Sequence, residues 1–270
     1  LPKTAKPAKG LRMSEGAVPI VMVHGAFCGG WVFDAFAEPF VAAGHAVIAP
    51  DLPGHAPTDP PGAALGLSTS DYAEAIVAAA RRLEAPPVLI GHSLGGLVAL
   101  MAAARMESAG VILLAPSPPW GVSGSTMEEA VSAVSLYALG PYWAQTIEPD
   151  YPILRRYGVD RLPRAERPAV FARMKPESGR ALFEILNWWL DPLMTTLVHP
   201  GRIGAPILAL AGEHDVIHPP ATVRESARRL GAHAEVMPAM SHWLPAEPGW
   251  RDVAARCLEW IAEGASRTAA

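Results

Sequence analysis

With 270 residues, half of them hydrophobic and 18% charged, and a formal net charge of −4, the chain can bury one large α/β core and carries no basic field of the kind that binds nucleic acid. Its longest apolar runs are strand-sized, short of the roughly 20 residues that cross a bilayer, so no membrane span is expected.

Residues 1–12 hold Lys3, Lys6 and Lys9, three of the four lysines, but no apolar segment of a secretory signal, and they read as a leader or remnant ahead of Met13 without fixed structure. A first strand is expected at 19–23, followed by His24-Gly-Ala-Phe-Cys-Gly-Gly-Trp31, whose glycines let backbone approach a ligand closely. A helix over 31–43, a strand over 46–49, a helix over 70–83 and a strand over 88–90 continue an alternation of short apolar runs and amphipathic stretches. That is the pattern of βαβ units in an open parallel sheet.

Directly after the strand at 88–90 comes Gly91-His-Ser-Leu-Gly95, and a helix is expected over 94–106. Gly-x-Ser-x-Gly between strand and helix is a nucleophile elbow, a tight turn between small residues that lifts the hydroxyl of Ser93 above the sheet. His92 reads as a structural part of that turn.

A strand at 111–114 follows, and then the alternation stops. Between Ser117 and Arg202 no strand is evident, and helical stretches are expected at 127–138, 165–174 and 178–190. Some 80 residues without structure would be out of place in a compact domain, so 118–201 reads as a helical cap inserted into a core made of 13–117 and 202–270. It carries Trp120, Trp143, Trp188 and Trp189. The sheet pattern resumes with strands at 207–211 and 234–237 and helices at 221–230 and 250–262.

Serine is a weak nucleophile at neutral pH and needs a base within hydrogen-bond reach, itself oriented by a third group. Gly212-Glu-His-Asp215 and Ser241-His242-Trp243 follow the last two strands, at the sheet edge where ligands bind in parallel α/β folds. Ser93 is therefore assigned as nucleophile, Asp215 as orienting acid and His242 as base, with Glu213 as the alternative acid. The negative oxygen of an acyl-transfer transition state needs two donors: the Leu94 N–H and an N–H of the loop after the first strand, from Ala26 or, failing that, Phe27. His214 and His218 lie near carboxylates, but Pro219 and Pro220 follow and no metal-binding helix motif exists, so no metal is expected. His45, His55, His199 and His233 read as surface or loop residues, and Cys28 and Cys257 as free thiols of a reducing cytoplasm.

These motifs, together with Asp51-Leu-Pro-Gly-His55, run in the order of an α/β-hydrolase, which the chain resembles from about residue 19 to 262. The His24–Trp31 motif is similar to that of plant methyl esterases, hydroxynitrile lyases and bacterial esterases acting on pyrethroids or acyl-homoserine lactones. The resemblance implies a serine hydrolase without a cofactor, cleaving apolar, medium-sized carboxylic esters, with lactone hydrolysis as the alternative. Carbon–carbon bond hydrolysis, cofactor-free haloperoxidation and a non-catalytic ligand receptor stand further back. Serine at 93, where dehalogenases and most epoxide hydrolases carry aspartate, and Trp243, where the lyases place lysine, speak against those three chemistries. Phe27, Trp143, Trp189 and Trp243 are the candidate substrate contacts.

Overall fold

The structure, a computed structural model, describes residues 17–124 and 136–268. The expected leader at 1–12 and most of the expected helix at 127–138 lie outside them. Six strands form one sheet: β1 (Ile20–Val23), β2 (Val47–Ile48), β3 (Val88–His92), β4 (Gly110–Leu114), β7 (Ile207–Gly212) and β8 (His233–Met237). All pair in parallel, in the order β2-β1-β3-β4-β7-β8.

The sheet is buried on both faces because its side chains alternate between two apolar layers, as the pleat requires. Val21 and Val23 of β1, Val111 and Leu113 of β4, and Ala209 of β7 face one layer. That layer also takes in α2 (Thr69–Ala80), α3 (Leu94–Ala103) and α7 (Pro220–Leu230). Ile20, Met22, Ile112, Leu114, Leu208 and Leu210 face the other, against Phe33, Phe36, α1 (Glu38–Ala42) and α8 (Trp250–Thr268).

The helix expected over 31–43 is broken into a 3₁₀ turn at Gly30–Phe33 and α1. Pro39 has no N–H to give the carbonyl of residue 35, so the chain restarts with Pro39 in the first turn of a new helix. In α2 the start is sharper, since Ser68 and Asp71 form a reciprocal capping box.

Between β4 and β7 the described residues hold short pieces: β5 (Thr146–Ile147) paired antiparallel with β6 (Glu177–Ser178), α4 (Tyr151–Ile153) running into a π turn, α5 (Arg167–Phe171) and α6 (Gly179–Leu186). The ribbon corrects the strandless reading of this interval, because two-residue rungs are too short to show alternation. Expected helices shrink for a similar reason: Pro168 opens α5, and the stretch at 178–190 ends at Leu186 before a 3₁₀ turn at Trp188–Leu190.

Candidate functional site

β1 and β3 are neighbours, yet β2 lies on one side of them and β4 on the other. The order of strands reverses here, and the loops leaving the two carboxyl ends open a crevice. Ser93 sits in it. β3 ends at His92 and α3 begins at Leu94, so Ser93 alone turns the chain, with φ 53° and ψ −124°, a conformation that costs a non-glycine residue ~1–3 kcal/mol. The turn closes only around glycine: a Cβ on Gly91 would lie 2.3 Å from the Gly95 carbonyl oxygen, and one on Gly95 2.2 Å from that of Val23. Backbone bonds brace it, with the Ser93 N–H donating to Leu114 O at 3.0 Å and its carbonyl accepting from Gly96 and Ser117.

The loop after β7 brings Asp215 and the loop after β8 brings His242. His242 Nε2 lies 3.1 Å from Ser93 Oγ, and its Nδ1 lies 2.9 Å from Asp215 Oδ2. All three residues are buried, at 8, 5 and 3% exposure for Ser93, His242 and Asp215. Asp215 Oδ1 accepts the N–H groups of Ile217 and His218. Burial opposes its charge, but His242 and these donors hold the carboxyl below its usual range. Glu213, the alternative acid, instead accepts the Ala239 N–H and lies beside His214 at the surface.

Two further imidazoles flank His242. His92 donates through Nε2 to the His242 carbonyl at 2.8 Å. His218 contacts Ser117 Oγ at 3.0 Å, and its ring is 5.3 Å from that of His242. Burial, reinforced by His242, pushes each down to about 3. Both are therefore neutral near pH 7, so that neither puts a second cation beside His242. The sequence offers no signal for the Ser117–His218 contact, which joins residues 101 apart. Among the described residues no group of three or more His, Cys, Asp or Glu could hold a metal.

In the loop after β1, Gly25 packs against the elbow so closely that a Cβ there would stand 3.1 Å from Ser93 Cβ. Among the described residues the N–H groups of Ala26 and Leu94 have no acceptor. That of Phe27 is engaged by Glu177 Oε2 at 3.3 Å, which removes the fallback donor. Phe27 is half-buried at φ 64°. Trp243 is buried at 3% exposure between Trp31 and His92, in the core. Trp143 is 42% exposed and packs on Tyr142 and Phe183, lining a cleft of ≈ 250 Å³ that includes no residue of the Ser93–His242–Asp215 series. Trp189 is 56% exposed against Trp188. Among the described residues neither ring touches that of His242.

His45 and His55 lie in loops, as read, but they are buried with partners instead of standing at the surface, His45 bonded to Val18 and His55 facing Glu177. Both cysteines are free and buried. No described helix is long and apolar enough to cross a membrane.

Comparison with known proteins agrees with the topology. A curated pyrethroid hydrolase of Sphingobium wenxiniae is 38% identical over 78 residues, 28% of this chain and 27% of that protein. The chain spans 27–36% of the length of the curated relatives it matches. Among solved structures, a methylesterase from Arabidopsis superposes with a TM-score of 0.70 at 16% identity, covering 91% of this chain and 99% of that one. A pyrethroid hydrolase from Sphingobium faniae gives 0.69 at 22% identity, covering 91 and 98%; at these identities the likeness is one of fold. Residues 20–256 match the alpha/beta hydrolase family, and with that match and this sheet the chain belongs to the alpha/beta hydrolases.

Proposed function

We propose that the protein is a serine esterase that cleaves apolar, medium-sized carboxylic esters through an acyl-enzyme. The observation that carries this reading is the buried series Ser93 Oγ, His242 Nε2 at 3.1 Å, and Asp215 Oδ2 at 2.9 Å from Nδ1. Asp215 accepts a hydrogen bond from Nδ1–H, which keeps the proton on Nδ1 and leaves Nε2 as the base. His242 takes the Ser93 proton as Oγ attacks the carbonyl carbon, and returns it to the departing alcohol. Water then attacks the acyl-enzyme with the same base. The oxygen that becomes negative in both steps rests on the Ala26 and Leu94 N–H groups.

An uncharged substrate suits a site whose flanking imidazoles are neutral and whose hydrogen-bonded groups include no arginine or lysine. The names of the relatives, pyrethroid hydrolase and methylesterase, put the same kind of reaction within this fold. Segment 118–201, as a cap over the crevice, would set the size of the acyl and alcohol groups. The test is proton release in a pH-stat with a linear long-chain ester and an acyl-homoserine lactone of the same acyl chain. Ser93→Ala is expected to lose on the order of 10⁴ in turnover, and retention of more than a tenth of wild-type activity would reject the assignment. Preference for the lactone would replace the esterase by a lactonase at the same site.

A further inference from the structure

Glu177, on β6 of the segment inserted between β4 and β7, is fully buried and has no part in the chemistry described above. Its carboxylate is saturated. Oε1 accepts the Tyr72 hydroxyl at 2.6 Å and the Ser178 N–H at 2.7 Å. Oε2 accepts the Phe27 N–H at 3.3 Å and faces His55 Nε2 at 3.1 Å. The other ring nitrogen of His55 points at the Pro53 carbonyl oxygen, 3.2 Å away. His55 Nε2 stands at ion-pair distance from the carboxylate without making an aligned hydrogen bond to it, so what joins the two when His55 is protonated is charge. In keeping with this, Glu177 holds His55 above its usual range and His55 holds Glu177 below its own, each against the effect of burial.

What this pair grips is the turn that presents Ala26. The Gly25 carbonyl oxygen is held by His24 Nδ1 at 2.8 Å and by the Cys28 N–H at 3.4 Å. A trans peptide points its N–H opposite its carbonyl, so the Ala26 N–H is aimed away from both. The next peptide is held through the Phe27 N–H on Glu177, and the one after it through the Phe27 carbonyl, which accepts the Lys175 N–H at 2.9 Å. Of three consecutive peptides, two are fixed by residues 175–177 of the insertion, around a Phe27 whose positive φ resists the conformation.

We infer that Glu177 is a positioning residue for the oxyanion site: by anchoring the Phe27 N–H it keeps the Ala26 N–H directed at the oxygen that becomes negative above Ser93. The insertion thus helps to build the catalytic machinery as well as covering it. This inference rests on the proposed roles of Ser93 and Ala26. It explains why a carboxylate stands at 177. A glutamine could keep Tyr72 and Ser178 on its oxygen, and its amide could donate to a neutral His55, but it would leave the Phe27 N–H without an acceptor.

Glu177→Gln is therefore the variant to measure, with Tyr72→Phe beside it as a milder loosening that leaves every backbone bond in place. For Glu177→Gln, kcat is expected to fall about 10-fold to 100-fold, short of full removal of an oxyanion donor, with KM within twofold of wild type. Affinity for a trifluoromethyl ketone, which becomes a tetrahedral oxyanion on Ser93, should fall by the same factor as kcat/KM. Tyr72→Phe should lose a few-fold in kcat and in ketone affinity. Wild-type kcat in folded Glu177→Gln, or in Tyr72→Phe should the first variant not fold, overturns the inference. A loss confined to KM, with ketone affinity intact, overturns it too. If either result accompanies an inactive Ser93→Ala, only the positioning role fails; an active Ser93→Ala removes the esterase reading and this inference together.

Discussion

The sheet and the insertion are held by different forces. In the sheet half, β1, β3 and β4 and every residue of α3 are buried, and apart from His92 the side chains of these elements are apolar. The insertion shares that core through Ala181, Ile185, Val198, Val159 and Leu162, and is fastened to it further by carboxylates. Glu177 reaches Tyr72, and Glu184 on α6 accepts both the N–H and the hydroxyl of Thr69, at 2.8 and 2.7 Å, at the first residue of α2. Asp191 closes its own turn on the Leu193 and Thr195 N–H groups. Apolar burial is non-directional and tolerates small shifts, whereas a buried carboxylate is stable only while its donors stay in place. The half that makes most of the core is built for stability, and the buried carboxylates of the insertion are built for registration.

Acid should break the comparison most strongly. His24, His92 and His218 are held neutral, each near 3, in the loops and strand ends around the site. Their unfolded counterparts take up protons below about 6.5, so between 6.5 and 3 the unfolded state binds more protons and stability falls as pH falls. Thermal melts across that range should lose Tm steadily, and His218→Gln should flatten the curve; parallel curves would mean that His218 is not buried and neutral. In the sheet, Leu97→Ala empties a fully buried position on α3 and should cost about 3 kcal/mol, roughly 6–12 °C in Tm.

Glu184→Ala leaves the Thr69 N–H unpaired and should cost ~1–3 kcal/mol. If the insertion is pinned as described, limited proteolysis should cut it sooner than global melting changes; a Tm loss as large as that of Leu97→Ala, without earlier cutting, would erase the distinction between the two halves. The smallest effect is expected at Glu247, beneath the His242 loop, where it accepts the Ser241 N–H and burial pushes it up to about 7. Between the free-glutamate range near 4.3 and about 7 the folded state binds more protons, so this group lowers stability as pH rises through that window. Glu247→Gln should gain Tm at pH 8 and show no gain at pH 4.

The same division governs what the sequence discloses. The strands were readable because β1, β4 and β7 are unbroken runs without a polar side chain, as a sheet covered on both faces requires. The elbow was readable because its glycines are demanded by contacts within a few residues. The closeness of Asp215 and His242, the proposed acid and base, was legible from their places after β7 and β8. Pro39 was visible but its effect on the run from 31 to 43 was missed, because apolar periodicity hides a missing donor. Glu177 was invisible in principle: Lys175-Pro-Glu177 falls between two expected helices as a polar connection, and its partners Phe27 and Tyr72 lie 150 and 105 residues away. Polar contacts of that range carry no periodicity, and the candidate tryptophans of the insertion suffered from the same silence.

At Ser93, shape and chemistry are separable. The turn is set by Gly91, by Gly95 and by backbone bonds to Leu114, Gly96 and Ser117, none of which uses the serine side chain. The one group the turn tolerates poorly is the Cβ that carries the hydroxyl, at φ 53°. Ser93→Gly should therefore melt at a higher temperature than the native chain while hydrolysing nothing, a stability–activity trade-off confined to a single residue.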